Sequence, residues 1–424
     1  MIKKAGYLAV TVSLILGISQ GAFATVRTAE DETEGALNPE EEEELEEAEK
    51  AAEEEEKKEE ESEEEDKKHM KIALSIPNSQ TDSLAGQAKY IGQRLEELGY
   101  IVDLRFAWGE ASIQKQDIEK WTDEEVDLMI INPVDPDALP ESLKAAGEAK
   151  IPILCLENMI TNTQDVDYFI TYDYLGLGKK MGEYIKEKAV LEDVSEENPK
   201  TIEFLMGAEN DAANFLFYTG LMETLSPYLD NGKLIALSGK TAFDEVGREG
   251  ETFQEAQDRM SWILEDYYPD KAPDIICTAS DQLAEIAVWA VQDAAYEKKS
   301  AAHETSKEDE PEGDESDEEA AQEQSSWPLI TGQGATVSGM NNLISHKQAV
   351  TSYGSVEKLS LVCAETADAI LKDKEIENAV DQYDNGLKII PAVLSEISLV
   401  DISTYQEILI DTGVYEVEQQ IKIP

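Results

Sequence analysis

The stretch DLMIINPVDPDALPESLKAAGEAKIPILCLEN, Asp127 to Asn158, holds a short apolar run, a segment with helical spacing, and a second short apolar run. Apolar runs of this length with no polar alternation suit strands buried on both faces. A helix between two such strands suits a right-handed crossover in a parallel sheet. The same alternation extends outward in both directions. Upstream stand KIALSI, the helical SLAGQAKYIGQRLEELGY closing on Gly99, IVDLRFA, and a helix near IQKQDIEKWTDEEV. Downstream of YFITYD a second succession begins: GLGKKMGEYIKEKAVL, TIEFLM, AANFLFYTGLMETLSPYL, KLIALS, ETFQEAQDRMSWILEDYY, DIICTA, QLAEIAVWAVQDAAY and WPLITG. Two successions predict an α/β chain of two lobes with parallel sheets, and 424 residues with 41% apolar composition give each lobe room for a core.

The formal charge of -57 is unevenly spread. Residues 30–69 carry 23 acids against 5 lysines, and residues 300–326 carry 11 acids against 1 lysine. Such runs repel themselves and bury little, so both read as solvated. The first is expected to be either a disordered tether or a single charged helix, since EELEEAEKAAEEEEKKEEE is rich in helix formers with Glu to Lys pairs four apart. The second reads as a disordered insertion between a helix and a strand of the second lobe. Acidity of this degree argues against nucleic acid and anionic headgroups as partners.

At the N-terminus, Lys3 and Lys4 precede an apolar run from Ala5 to Ile18 and then Ala22-Phe23-Ala24, the order of a secretory signal. It reads as a cleaved signal over residues 1–24 or an uncleaved anchor, with the acidic tether over 25–69. The chain is therefore expected outside the cytoplasmic membrane, touching it only through such an anchor. Cys155, Cys277 and Cys363 are too few for a disulfide framework and sit as small apolar residues.

Enzyme motifs fail on spacing. GLGKKMG, Gly176 to Gly182, follows a strand and opens a helix, but Met181 stands where a dinucleotide fingerprint needs its last glycine. The stretch is read as a helix start capped by Asp173. SGKT, Ser238 to Thr241, lacks the earlier glycine of a phosphate loop. Three histidines, two of them in or beside the acidic tracts, give neither a triad nor a metal set. No cofactor, metal or catalytic residue is expected.

What remains is the row of polar residues at the carboxyl ends of the strands, where open parallel sheets bind ligands. Glu157 and Asn158 follow the fourth strand; Asp211 and Asn214 open a helix of the second lobe; Asp281 and Gln333 follow later strands. Carboxylates and amides of this kind take neighbouring hydroxyls pairwise and suit a polyhydroxy ligand. Asp211 and Asp281 also precede helices, where capping explains an aspartate equally well.

From Lys71 onward the chain resembles the periplasmic xylose-binding and multiple-sugar-binding proteins, type I solute-binding components of ABC importers. The resemblance rests on LEELGY, NMITNTQDVDYFITYD, FYTGLMETLSPYLDNGKL, ASDQLA, LITGQG and DNGLKIIPAVL. It implies two Rossmann-like lobes, a three-crossing hinge and a sugar in the cleft. The crossings are placed at Asp173, Tyr353 and Pro391, so that the first lobe spans 70–172 and 356–390 and the second 173–355 and 391–424. Several of the family's sugar contacts are replaced. Ser83 and Leu84 stand for an Arg-Trp pair, Glu157 and Asn158 for Asp-Arg, Ala212 and Ala213 for paired asparagines ahead of Asn214, Gly334 for an aspartate and Gly354 for a lysine. Asp211, Asp281 and Gln333 match. The resemblance thus implies a small carbohydrate-like ligand, a pocket diverged from the xylose pattern, and an importer permease as partner. The alternatives are a tethered sensory module read by a sensor kinase, or a scaffold that has lost its ligand.

Overall fold

The computed structural model describes residues 69–208, 211–305, 327–376 and 378–415. The expected signal, nearly all of the acidic tether and most of the 300–326 insertion lie outside the described residues. None of the helices among the described residues is long and apolar enough to cross a membrane.

Two sheets organise the chain. The first collects β1 (Lys71–Ile76), β2 (Ile101–Phe106), β3 (Leu128–Ile131), β4 (Ile153–Leu156), β5 (Tyr168–Tyr172), β11 (Val380–Asp384) and β12 (Ile389–Ser395). Its order is β11-β12-β5-β4-β3-β1-β2, parallel except for the β11–β12 hairpin at one edge. β3 and β4 are wholly buried, as their unbroken apolar runs require. Helices α1 (Asp82–Glu97), α2 (Ala111–Asp123) and α3 (Pro140–Glu148) form the crossovers. Each starts for a local reason where the sequence supplies one: Thr81 Oγ1 caps α1 by accepting from Leu84 N, and Pro140 takes the first position of α3.

After α4 (Tyr174–Lys188) the second sheet begins, with β6 (Lys200–Leu205), β7 (Leu234–Ile235), β8 (Ile275–Thr278) and β9 (Leu329–Ile330) in the order β7-β6-β8-β9. A bridge from Thr331 to Val350 joins it to β10 (Val350–Gly354), which pairs antiparallel with β13 (Ile397–Asp401). Its helices are α5 (Ala212–Asp230), α6 (Phe253–Tyr267), α7 (Asp281–Thr305) and α8 (Val337–Ile344), while α9 (Val356–Leu371) returns to pack on α1. The start of the 300–326 segment thus continues α7 as helix through Thr305. Strand KLIALS shrinks to the two residues of β7, because the buried Glu203 carboxylate accepts from Ser238 N and Oγ and draws the chain away from the sheet.

The chain passes between the sheets three times. The first passage is Asp173, between β5 and α4, and its N–H donates to Ser395 O at 2.9 Å. The second is Ser355, two residues beyond Tyr353, which itself lies inside β10. The third is Glu396, between β12 and β13. Pro391, where sequence reading placed it, is inside β12 opposite Asp381 of the edge strand, next to a register irregularity. A proline is tolerated there because an edge pairing with a bulge needs fewer ladder donors. The boundary expected at residues 390/391 therefore moves downstream to Glu396.

Candidate ligand-binding site

At the carboxyl edge of the first sheet β4 stops at Leu156, and Glu157 takes a left-handed backbone, φ 64°. Its N–H still donates to Ile170 O at 2.7 Å, so the turn begins without losing its grip on β5. Cys155 closes the turn from below: its thiol donates to Asn158 O at 2.8 Å and its sulfur accepts from Ile160 N at 3.3 Å. Burial pushes this thiol up to about 12, which keeps it a protonated donor.

A buried amide layer fixes the Glu157 side chain. Gln87 Nε2, from α1, donates to Glu157 Oε2 at 2.7 Å, and Asn132 Nδ2, just past β3, donates to the same oxygen at 3.3 Å and to Gln87 Oε1 at 2.9 Å. Asn158 Nδ2 donates in turn to Asn132 Oδ1 at 3.3 Å. Behind them Gln114 Nε2 donates to Asn132 O and to Ser75 Oγ, both at 2.8 Å. Gln87, Gln114 and Asn132 are wholly buried, while Glu157 is half-buried and Asn158 exposed. Both bonds to the Glu157 carboxylate fall on Oε2, so among the described residues Oε1 has no hydrogen-bond donor.

Gln87, Asn132 and Gln114 were not singled out from the sequence. A signal existed for Gln87, which occupies a core position of α1 between the apolar residues Leu84 and Ile91. A polar side chain there needs a partner inside the fold.

In the second lobe, Asp211 is exposed and caps α5, accepting from Ala213 N at 2.8 Å and Asn214 N at 3.4 Å. The Asn214 side chain donates to it at 3.0 Å, so these two expected contacts are held as a pair. Tyr174, at the start of α4, senses both lobes. Burial first, then the charges of Glu157 and Asp211, push its phenol up, so it stays a neutral donor.

Asp281 turns inward, with none of its surface exposed. Its Oδ1 accepts from Gln348 Nε2 at 2.8 Å and Thr351 Oγ1 at 2.7 Å, and its Oδ2 from Thr336 N at 2.7 Å and Thr336 Oγ1 at 3.1 Å. Every acceptor direction of the carboxylate is used, and a ligand finds none open in this arrangement. Gln333 is the opposite case: its carbonyl accepts from Asp281 N at 2.8 Å, but its side-chain Nε2 is buried with no hydrogen-bond partner among the described residues. No hydrogen bond among the described residues joins the Glu157 group to the Asp211 and Gln333 groups. What the arrangement offers is an outward carboxylate oxygen, an exposed amide, an aspartate–asparagine pair and an unpaired amide donor. Carboxylates and amides of this kind can pair with hydroxyl groups, and no cluster of metal-ligating residues occurs among the described residues.

The profile of the periplasmic binding protein domain matches residues 72–375. The chain is 25% identical over 351 residues to a multiple sugar-binding periplasmic protein of Azospirillum brasilense, covering 83% of this chain and 91% of that one. It is 27% identical over 357 residues to a D-xylose-binding periplasmic protein of Haemophilus influenzae, covering 83% and 92%. Among solved structures, an ABC transporter solute-binding protein from Clostridium phytofermentans with bound β-D-glucose superimposes with a TM-score of 0.62 at 29% identity, over 83% of this chain and 100% of that one.

Proposed function

The chain belongs to the periplasmic binding protein domain family, and on that footing we propose that it is an extracytoplasmic solute-binding protein of the sugar-binding type, which closes its two lobes on a carbohydrate-like ligand and delivers it to an ABC importer. The observation that carries this reading is Glu157, a carboxylate fixed from behind by Gln87 and Asn132 with its other oxygen left open at the carboxyl edge of a parallel sheet. Asn158 and Gln333 add an amide on either side of the cleft, and Asp211 with Asn214 supplies the lower rim. The pocket is diverged: an amide replaces the guanidinium implied beside Glu157, and Asp281 is engaged by the protein itself. The role is non-enzymatic and needs no cofactor. The sensory alternative depends on a retained N-terminal anchor, which lies outside the described residues.

Thermal unfolding in the presence of D-glucose, D-xylose, D-ribose and a set of di- and trisaccharides tests this. A ligand bound only by the folded state at a hundred times its Kd adds about 2.7 kcal/mol of stability, enough for a clear rise in melting temperature. Glu157→Ala should remove most of that rise. A panel in which no saccharide shifts the transition would end the sugar-binding reading.

A further inference from the structure

Nine non-glycine residues among those described have a positive φ. Five of them, Glu125, Lys150, Val190, His346 and Asp373, sit just past the C-cap of a helix, the ordinary place for a left-handed residue. The other four, Trp108, Glu157, Asn162 and Ala335, lie in the segments that follow strands β2, β4 and β9. Asn162 and Ala335 are a tolerant residue and a small one. That leaves two bulky residues held in an unfavourable conformation at the carboxyl edge of the same sheet. One is Glu157, the centre of the candidate site. The other is Trp108.

Trp108 has φ 55°, and Gly109 after it φ 80°, in a turn closed by Glu110 N donating to Ala107 O at 2.9 Å. Turns with positive φ at both central residues select Gly, Asn and Asp, and an indole has no intrinsic claim on the position. Burial does not explain it, for Trp108 is 63% exposed, more than any other large apolar residue described. Phe106 braces the ring at 5.9 Å between centroids, and the Gly109 N–H donates to Pro77 O at 2.9 Å, tying the turn to the loop after β1. A strained, braced and solvent-facing aromatic is an arrangement that sheds strain easily by mutation unless its face is used.

Resting on the sugar-binding reading of the cleft, we infer that Trp108 is the stacking platform of an outer subsite and that the ligand is an oligosaccharide, its inner unit at Glu157 and its outer unit on the indole face. The sheet order carries the geometry. From β4 to β2 the strands run β4-β3-β1-β2, three steps of about 4.8 Å each, so the two sites lie on the order of 14 Å apart, beyond the reach of a single pyranose. Between them, β1 is followed by the half-buried Asn78 and the exposed Gln80, whereas Asn132 after β3 is wholly buried and held by Gln87, Glu157 and Asn158. An aromatic face separated from Glu157 and the exposed Asn158 by the polar side chains of Asn78 and Gln80 is what a chain of sugar rings, apolar on their C–H faces and polar at their edges, would recognise.

Calorimetric titration of the full chain with D-glucose and D-xylose, and with cellotriose, maltotriose and xylotriose, tests the inference. At least one trisaccharide should bind at least tenfold more tightly than its own monosaccharide. Trp108→Gly should abolish that advantage, leave monosaccharide affinity unchanged, and keep or raise the melting temperature of the free protein because glycine relieves the backbone; Trp108→Phe should retain part of the advantage. Trisaccharides that bind no better than monosaccharides, or a Trp108→Gly protein that keeps the trisaccharide advantage, overturn the outer subsite and leave the sugar-binding reading standing. A free protein destabilised by Trp108→Gly with trisaccharide binding intact makes the indole structural and overturns it as well. Absence of binding by every saccharide ends both readings.

Discussion

Asp281 accepts four hydrogen bonds inside the second lobe and shows no surface to water. Truncating it strands the Thr351 hydroxyl, the Gln348 amide and the Thr336 N–H in a space from which water is excluded, so Asp281→Ala should cost about 3 kcal/mol of folding stability, read from urea unfolding of the free protein. A loss under about 0.5 kcal/mol would contradict the buried network. Gly332 and Gly339 pack directly on this carboxylate, leaving no room for a Cβ at either, which adds to its isolation from solvent. At this scale the sequence was a partial guide. Glu157 was legible because it ends an apolar run where a strand must surface. The inward turn of Asp281 was not, since its partners come from 55, 67 and 70 residues further along the chain and only the folded sheet brings them together. The value of Gln87 lay in a pattern that could be read, a polar residue on the apolar stripe of α1, whereas its bond to Glu157 spans 70 residues and could not.

Helices α4 and α5 meet through glycine. A Cβ on Gly178 would run into Phe217 O and Leu221 N, one on Gly220 into Leu175 O, and one on Gly182 would lie 2.7 Å from Thr224 Cβ. Gly178 and Gly182 of GLGKKMG thus serve a close helix–helix approach, and Gly176 leaves room for the Asp173 carboxylate that caps α4. That approach fixes the starts of both helices, where Asp173 caps α4 and Asp211 caps α5. Gly178→Ala should accordingly destabilise the chain by about 2 kcal/mol through overpacking, and should weaken ligand-induced stabilisation by displacing Asp211 and Asn214. Urea unfolding with and without ligand measures both, and an unchanged midpoint would refute the contact. The alternation of strand and helix was readable because buried strands and amphipathic helices differ in period. The β11–β12 hairpin and the shortness of β7 were not, because they depend on pairing at sheet edges and on the pull of Glu203 rather than on local pattern.

Three single-residue passages, Asp173, Ser355 and Glu396, connect the two lobes, and they are stitched to one another. The Asp173 N–H holds Ser395 O, the Tyr172 hydroxyl donates to Gly354 O at 3.4 Å, and Lys180 of α4 pairs with Glu396 and donates to Ile397 O at 3.0 Å. Passages bound side by side give the lobes one axis about which to turn, the geometry of a hinge closure. A ligand that contacts Glu157 on one lobe and Gln333 on the other binds the closed form preferentially. Moving an open population from 1:99 to 99:1 closed takes a differential affinity of about 5.5 kcal/mol, within the roughly 8 kcal/mol of a micromolar complex. X-ray scattering should therefore show a smaller radius of gyration in the presence of a saccharide that raises the melting temperature. Gly354 gives the control, because a Cβ there would sit 2.8 Å from the Tyr172 ring at the junction of the first two passages. Gly354→Ala should leave the melting temperature of the free protein within a few degrees of the parent but weaken the ligand-dependent contraction, since the ring must move for the passages to turn. Scattering curves that are superimposable with and without a stabilising saccharide would mean that the lobes bind as a rigid pair, and delivery would then have to be signalled by something other than closure.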